Sequence, residues 1–414
     1  MHQQDIIMLC QQDWHLPLGT NARSLARELS AHNRVLYVNL PLDLNTLVQR
    51  LWRGPVRPLL RRLLGRTSGL EQVGPNLWVL TPDCLLLSIN RVPWAGLFAR
   101  LNDLNAWLLA RSIRQASRTL GLDQTTLLVD GIIFPATELR HRLRPARLVY
   151  YLRDYMLAVP YFRRHGPAAE ARLLIQADVV ATNSAYLADY ARRFTPRSYD
   201  IGQGCQLDLY RPGPGCAEPA DLAAVPHPRL GYTGFLTTVR LDLPLLEQLA
   251  RQRPDWHLVL VGPEDEEFRR SPLHGLPNVH FLGRKPPEQL PAYVQHLDVC
   301  LNPQAVNEVT QGNYPLKIDE YLAMGKPVVA TYTRTMELFA DYVALPRDYA
   351  GWLTALSAAL EPRPPEAAER GRAFTRSHTW AASVARLTAA LGLTAGPVPA
   401  PTASHLPFAP RHAC

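Results

Sequence analysis

The chain has 414 residues, of which 47% are hydrophobic, and a formal net charge of +8 at pH 7. This length suits a globular protein of two or three domains. No run approaches the roughly 20 apolar residues of a spanning helix, so we expect no membrane-spanning segment. The six cysteines form no C-x-x-C pair and no apolar signal segment precedes the first predicted strand, which favours reduced thiols and a cytoplasmic location.

The positive charge is concentrated in the first half of the chain. Residues 1–200 hold 25 arginines, no lysine and 15 acidic residues, a net charge of +10, whereas the remainder holds 19 basic and 21 acidic residues, a net charge of −2. Such a basic half suits nucleic acid, an anionic membrane surface or an acidic substrate. No zinc-finger, homeodomain-like or RNP-like pattern is present, so we do not expect nucleic-acid binding.

Two basic stretches of the sequence favour an anionic membrane surface among these binding partners. Residues 47–70 interleave arginines with leucines and Trp52, and residues 91–120 do the same with Trp94 and Trp107. This composition is typical of a segment that lies in a membrane interface. The alternative is a solvated helix that packs its leucines on a sheet.

The chain begins with the pattern of a parallel α/β domain. Buried-strand patterns at 5–10 and 34–39 enclose a helical pattern at 21–32, which predicts a β-α-β unit. The turn at 11–20 follows the first strand, at the edge where open α/β sheets place their ligands. It contains Gly19 but no G-x-G-x-x-G fingerprint, and a simple helix-capping turn is the alternative.

Further strands repeat this pattern on both sides of a proline-rich segment. Strands are predicted at 125–130, 147–152, 177–183, 229–232, 257–262, 279–283 and 299–302. Asp154 comes just after the second of these, so we expect it in the strand-end crevice, with ordinary loop capping as the alternative. Gly231, within the predicted strand at 229–232, and Gly234, just after it, allow close backbone approach.

The stretch at 313–331 predicts a helix that leads into an inner strand. Asn313 suits the helix cap, Pro315 the first turn and Gly325 the left-handed position after the last turn. Pro327 blocks continuation, and the apolar run at 328–330 is typical of a parallel strand buried on both faces.

Lys317 and Glu320 are three residues apart and share one face of this helix, near its positive end. An ammonium beside unpaired backbone amides suits a diphosphate, and a carboxylate one turn later suits a ribose diol. The alternative is a surface ion pair between the two side chains.

This stretch resembles the donor-site signature of family 4 (group 1) glycosyltransferases, which have the GT-B fold. It is most similar to bacterial surface-polysaccharide enzymes of the teichuronic-acid type. The pattern N-E-x-T…P-L-K-x-x-E-Y-L-A is matched by Asn307, Glu308, Thr310, Pro315, Leu316, Lys317, Glu320, Tyr321, Leu322 and Ala323. The resemblance implies an α/β chain with two Rossmann-like, doubly wound parallel-sheet domains facing a central cleft.

The resemblance also implies roles for individual residues. Glu320 corresponds to the second glutamate of the E-x7-E motif, which binds the nucleotide ribose. The first position holds Gly312, so Glu308 becomes the candidate for the donor sugar. Arg240 and Lys317 are expected to act on the diphosphate, and Asp154 to face the acceptor. The remaining expected donor-binding residues are Gly19, Gly234, Gly283, Arg284, Pro315 and Leu316.

Composition and resemblance together predict the domain organisation. We expect a basic, acceptor-side domain at 1–211, a linker at 212–228 and a nucleotide-sugar domain at 229–375. A C-terminal helix at 376–393 is expected to pack back on the first domain, followed by a disordered tail at 394–414.

The predicted function is a glycosyltransferase of the hexosyltransferase type that moves a sugar from a nucleotide-sugar donor to a lipid-linked or cell-surface polysaccharide acceptor, with retention. We expect no cofactor and no metal, because Lys317, Arg240 and free helix amides supply positive charge and no suitable D-x-D is present. We also expect peripheral binding to an anionic membrane at the inner face of the cytoplasmic membrane. A non-catalytic GT-B protein that binds nucleotide or membrane is the alternative. An epimerase of this fold would need paired acids and a histidine, which the sequence does not place.

Overall fold

The computed structural model describes residues 3–16, 20–44, 69–213 and 217–393. The chain divides into two compact units. The first runs to Gly204 and includes the segment that starts at Trp380, and the second comprises Cys205–Thr379. The chain thus enters the second unit ahead of the predicted linker. The tail predicted to be disordered lies outside the described residues.

The first unit alternates strands and helices. Its strands are β1 (Asp5–Cys10), β2 (Arg34–Asn39), β3 (Leu70–Gly74), β4 (Leu77–Leu80), β5 (Thr126–Asp130), β6 (Arg147–Leu152), β7 (Val179–Thr182) and β8 (Ser198–Asp200). Its helices are α1 (Asn21–Ser30), α2 (Ala95–Leu120), α3 (Ala136–Leu143), α4 (Gly166–Gln176) and α5 (Ala185–Arg192), with short 3-10 turns at Met156–Ala158 and Pro160–Phe162.

The described strands of this unit form one sheet in the order β3-β4-β2-β1-β5-β6-β7-β8. Every neighbouring pair is parallel except β3 with β4, which is antiparallel. The predicted strands at 5–10, 34–39 and 147–152 are confirmed to the residue. The edge hairpin of β3 and β4 has no counterpart among the predicted elements.

Both faces of this sheet are covered. Along β1, Ile7 and Leu9 pack into one apolar cluster, while Ile6 and Met8 pack into another on the opposite face. Side chains of a strand alternate between faces, so a strand without polar interruption is buried only where both faces carry helices. The continuous apolar run at the start of the chain thus correctly predicts a two-sided parallel sheet.

The second unit repeats this architecture. Its strands are β9 (Arg229–Thr233), β10 (His257–Val261), β11 (Val279–Phe281), β12 (Val299–Asn302) and β13 (Val328–Ala330). Its helices are α6 (Ala220–Ala223), α7 (Leu243–Gln252), α8 (Glu266–Arg269), α9 (Leu290–Gln295), α10 (Leu316–Ala323), α11 (Tyr349–Leu360) and α12 (Pro365–Thr375), with 3-10 turns at Pro272–Gly275, Pro287–Gln289 and Thr335–Phe339. The last helix among the described residues, α13 (Trp380–Ala390), belongs to the first unit and packs on α1.

The described strands of the second unit are all parallel, in the order β11-β10-β9-β12-β13. The chain moves from β9 outward to β10 and β11, and then returns to the other side of β9 to form β12. The carboxyl ends of β9 and β12 therefore mark a topological switch point, where open α/β sheets bind ligands.

One prediction for the helix before β13 is wrong. Asn313 does not cap it, because the helix begins at Leu316 and the capping position is held by Pro315, in an extended conformation without a side-chain cap. The backbone N–H of Asn313 instead donates to the Thr310 carbonyl in the preceding turn. Gly325 has a φ of +73°, which confirms the predicted left-handed end of the helix.

Of the two basic stretches predicted to bind a membrane surface, the structure describes the second and almost none of the first. Within the described part of the chain, no helix is both long and apolar enough to cross a bilayer. The first basic stretch, at 47–70, lies outside the described residues except for its last two positions. The second coincides with α2.

Candidate functional site

Helix α10 is fixed to the end of the central strand of the second sheet. The hydroxyl of Tyr321 accepts a hydrogen bond of 2.9 Å from the backbone N–H of Thr233, the last residue of β9. Tyr321 is fully buried. The next residue, Gly234, has a φ of +143° and donates its N–H to the Val261 carbonyl of β10. A helix that follows β12 is thereby held at the switch point, beside the turn that leaves β9.

Lys317 lies over an aromatic ring of the same strand. Its Nζ is 4.8 Å from the centroid of the Tyr232 ring, a favourable contact between a cation and the negative face of the ring. Among the described ion pairs, none joins Lys317 to Glu320, although both side chains are half-buried. The predicted alternative of a surface ion pair is therefore not what the structure shows.

Glu320 lies in a drier environment than its helix position suggests. Burial raises the pKa of its carboxyl group, while the positive charge of Lys317 and a hydrogen bond with the Tyr210 side chain act in the opposite direction. Tyr210 comes from the first residues of the second unit and is itself buried. The Tyr210 side chain thus lies beside a carboxylate that retains capacity to accept further hydrogen bonds.

Arg240 stands on the loop between β9 and α7. Its carbonyl accepts a hydrogen bond of 2.9 Å from the N–H of Ala305, on the loop after β12. Its side chain is exposed, and the ion pairs described for this chain give it no acidic partner. Asp242, two residues later, caps α7 by accepting from the N–H of Leu245. The guanidinium is therefore carried on a braced turn that bridges the two loops of the switch point.

The loop after β12 presents Glu308. Asn307 accepts from the backbone N–H of Val309 and Thr310 and donates its side-chain amide to the Val239 carbonyl. Thr310 is fully buried and its hydroxyl donates to the Ala305 carbonyl at 2.5 Å. Glu308 between them is exposed. In the pattern N-E-x-T, the asparagine and threonine thus shape the turn, and the glutamate is the residue that the turn exposes.

The other predicted donor residues are spread along the same sheet edge. Gly283, with a φ of +68°, and the exposed Arg284 follow β11, two strands from β9, or about 10 Å away. Pro315 and Leu316 form the start of α10, where Leu316 packs against the core of the unit. Gly19 lies outside the described residues.

Asp154 follows β6 in the first unit and contacts a buried ion pair. Arg153 donates from Nε to Asp130 at 2.6 Å and from Nη1 to Asp154 at 3.1 Å. Asp130 and Arg153 are buried, whereas the Asp154 side chain is 41% exposed. Asp154 thus lies at the carboxyl edge of the first sheet, partly open to solvent, and interacts with Arg153.

The sequence analysis missed Asp319, which is fully buried between Lys317 and Glu320 in the chain. Its Oδ1 lies 2.6 Å from Nδ1 of His378, and its Oδ2 accepts from the Tyr314 hydroxyl at 2.9 Å and from the Cys205 thiol at 3.2 Å. These partners come from three separate parts of the second unit. The one available signal was an acidic residue at a position of α10 that faces the core.

The second half of the chain matches a family model. Residues 228–361 match the model described as glycosyl transferases group 1. TuaH of Bacillus subtilis (strain 168), named as a teichuronic acid biosynthesis glycosyltransferase, is 30% identical to this chain over 172 residues. That alignment covers 40% of this chain and 43% of TuaH, so it spans less than half of the relative.

Solved structures match over almost the whole chain. Sucrose-phosphate synthase from Thermosynechococcus elongatus has a TM-score of 0.65 and 17% identity, over 94% of this chain and 99% of that one. The HepE protein of Anabaena, crystallised with UDP and glucose, has a TM-score of 0.62 and 17% identity, over 94% and 100%. At this identity, the likeness establishes the fold. The chain accordingly has the GT-B fold, and residues 228–361 of its second unit are similar to glycosyl transferases group 1.

Proposed function

We propose that this chain transfers a hexosyl group from a nucleotide-sugar donor to an acceptor that is lipid-linked or part of a cell-surface polysaccharide, with retention at the anomeric carbon. The observation that carries the proposal is the position of Lys317, half-buried beside Tyr232 at the switch point of the second unit. A cation at that edge suits the diphosphate of a leaving nucleotide. HepE, which shares the fold, was crystallised with UDP and glucose.

Three side chains and the first backbone amides of α10 divide the recognition of the donor. Lys317 and Arg240 supply positive charge to the diphosphate, together with the first backbone amides of α10, which have no partner within the helix. The Glu320 carboxylate accepts hydrogen bonds from the ribose diol, with Tyr210 fixing its orientation. Departure of the nucleotide diphosphate concentrates negative charge on the leaving oxygen, so cations fixed in advance stabilise the transition state. Because these cations serve that purpose, we propose that no metal ion is needed.

Glu308 is proposed to contact the donor sugar. It replaces the carboxylate that the family signature carries at position 312, where this chain has glycine. Its loop is braced by Asn307 and Thr310, so an exposed side chain is carried on a fixed turn. A carboxylate on a fixed turn can accept hydrogen bonds from sugar hydroxyls in a defined direction.

The acceptor side of the proposal draws on α2. Leu109 and Ile113 pack against the sheet, and Phe98 packs against Phe134 and His165. Leu97, Leu104 and Trp107 are exposed on the outer face of the helix. This outer face also carries exposed arginines at 100, 111, 114 and 118. Anionic lipid attracts basic side chains at about 1 kcal/mol each near the surface. We propose that this face holds the enzyme peripherally at the inner leaflet, close to a lipid-linked acceptor.

The test is turnover of nucleotide sugars by purified protein. UDP- and GDP-sugars are incubated with the protein, and released nucleotide is measured with and without a chelator. We expect slow donor hydrolysis that the chelator leaves intact, and a loss of about 100-fold or more in Lys317→Ala and Arg240→Ala. Arg251→Ala, which removes an exposed arginine from α7, is the matched control and should retain full activity.

A non-catalytic nucleotide-binding protein is the second candidate, favoured by glycine at position 312. Measurements on the same samples distinguish the two functions. If nucleotide raises the melting temperature of the wild-type protein but no donor yields product, the result contradicts the transferase and supports the second candidate. Where product forms, the anomeric configuration read by NMR tests retention.

A further inference from the structure

The first unit carries a cavity of about 500 Å³ between the start of α4 and the end of α5, beside the segment at 155–163. This volume falls within the range of about 300–1,000 Å³ that is usual for small-molecule sites. Helix α5 begins after β7 at the carboxyl edge and runs back across the sheet before the parallel strand β8, so its end lies away from that edge. Among the described lining residues of this cavity, none is assigned above to the donor or the acceptor.

Tyr190 forms an aromatic wall of this cavity. Its ring meets the Tyr155 ring edge to face, with the centroids 5.3 Å apart, and its centroid lies 5.5 Å from that of Phe194. Leu157 and Pro167 extend the apolar lining. Phe194 is 37% exposed, so this apolar surface reaches solvent. A wall of aromatic rings favours a flat, aromatic group on the ligand.

The Tyr190 ring is held in place by a buried carboxyl group. Its hydroxyl donates to one oxygen of Glu170 at 2.6 Å, and the Tyr150 hydroxyl donates to the other at 3.0 Å. Burial raises the pKa of Glu170, whereas the two hydroxyl donors act in the opposite direction. Rotation of the Tyr190 side chain would leave this buried acceptor with one donor fewer. The aromatic wall is therefore fixed before any ligand binds.

Two arginines supply the charge of the cavity. The Cζ atom of Arg193 lies 4.5 Å from the centroid of the Tyr190 ring, and its Nε donates to the Tyr190 carbonyl at 3.3 Å. Arg163 is exposed. The ion pairs described for this chain give neither arginine an acidic partner, and the described lining includes no aspartate or glutamate. Two guanidinium groups without a counter-ion favour an anion, and their planar geometry suits phosphate oxygens.

We propose that this cavity binds a small ligand in which an aromatic ring carries a phosphate group. The ring lies against Tyr155, Tyr190 and Phe194, and the phosphate accepts hydrogen bonds from Arg163 and Arg193. A phosphate monoester is preferred over a carboxylate, because it presents three oxygens and up to two negative charges to the two guanidinium groups. This inference concerns the first unit alone and does not depend on the proposed transfer reaction.

Binding is measured by ligand-detected NMR without nucleotide, using four probes that carry the ring, the anion or both. Phenyl phosphate carries both groups, and benzoate carries a carboxylate on the same ring. Benzyl alcohol lacks the anion, and inorganic phosphate lacks the ring. We expect phenyl phosphate to bind about tenfold more tightly, or better, than each of the other three probes, because only this probe satisfies both the aromatic wall and the two arginines.

Two variants locate the binding. Arg163→Gln and Arg193→Gln each remove one positive charge, and each should weaken the binding of phenyl phosphate about tenfold or more. Arg192→Gln is the matched control, since it changes the neighbouring exposed arginine of α5, which pairs with Asp189 and does not line the cavity. Melting temperatures establish that all three variants are folded.

Inorganic phosphate or benzoate that binds as tightly as phenyl phosphate would overturn the inference, and so would an equal loss in Arg192→Gln and Arg193→Gln. A loss found only in Lys317→Ala would place the binding in the second unit and would also overturn it. Donor hydrolysis is measured on the same samples and should be unchanged in Arg193→Gln. A protein that hydrolyses donor but does not bind phenyl phosphate disproves this site alone.

Discussion

The carboxylate of Asp319 lies 2.6 Å from Nδ1 of His378, within a fully buried cluster of the second unit. The same carboxylate accepts hydrogen bonds from Tyr314 and Cys205. Cys205 is the first residue of the second unit, and His378 lies two residues before the chain returns to the first at Trp380. Helix α10, which carries Lys317 and Glu320, is therefore bonded to both ends of its unit.

Removing this carboxylate should destabilise the second unit. In Asp319→Ala, the hydroxyl of Tyr314, the imidazole of His378 and the thiol of Cys205 lose a shared buried acceptor. We expect the free energy of unfolding to fall on the order of 3 kcal/mol. Urea denaturation followed by tryptophan fluorescence measures this loss. Asp341→Ala, which removes an exposed acid of the same unit, should change it by less than about 0.5 kcal/mol.

The substitution Glu320→Gln should change folding stability and nucleotide binding in opposite directions. The pKa of Glu320 is raised by burial in the folded protein, so the folded chain holds this proton more tightly than the unfolded chain. Folding stability then falls as pH rises from the ordinary glutamate value of about 4.3 through the raised value. The glutamine variant lacks this penalty, so we expect it to be more stable than wild type at neutral pH and to lose that advantage near pH 4.

The same variant should bind nucleotide about 10- to 100-fold more weakly, because a neutral amide replaces the charged acceptor of the ribose diol. Thermal melting across pH and nucleotide titration measure the two effects. Glu366→Gln changes an exposed glutamate and should alter neither. Undiminished nucleotide affinity in Glu320→Gln would contradict the role assigned to this residue.

Asp154 and Arg153 should respond differently to substitution. Asp154 is 41% exposed, so Asp154→Asn should leave stability within about 0.5 kcal/mol of wild type. If the carboxylate acts on the acceptor, sugar transfer falls about 100-fold or more while donor hydrolysis persists. Arg153→Met instead leaves the buried Asp130 carboxylate without its cation and should cost about 3–5 kcal/mol. Equal transfer rates in wild type and Asp154→Asn would leave only a structural role for Asp154.

The exposed face of α2 predicts salt-dependent membrane binding. Wild-type protein should float with liposomes that contain anionic lipid, and salt should release it, because the attraction is screened. Arg111→Glu with Arg114→Glu should weaken flotation about tenfold or more. Arg251→Glu with Arg347→Glu makes the same change of charge on exposed residues of the second unit and should float as wild type does. Equal flotation with neutral and anionic liposomes would contradict this prediction.

Local sequence patterns were sufficient to predict the framework of the chain. The uninterrupted apolar runs of β1 and β13 predict strands buried on both faces, because a strand alternates its side chains between the two sides of a sheet. Gly325 predicts the end of α10, because glycine has no Cβ and adopts the left-handed conformation without a steric clash. The spacing of Lys317 and Glu320 places them on one helix face through the helical period alone. Each of these inferences depends on residues within one or two turns of each other.

The tertiary structure decided which distant groups meet. Tyr210 reaches Glu320 across 110 positions of sequence, and the cavity of the first unit is assembled from two helices and the segment between β6 and α4. The failed cap at Asn313 has a local origin instead, since the backbone N–H of Asn313 donates to the carbonyl of the nearby Thr310. Burial, pKa shifts and concave surfaces depend on chain segments that are close in space and remote in sequence. Periodicity and spacing describe only near neighbours along the chain, so these features appear only when the sheets are assembled.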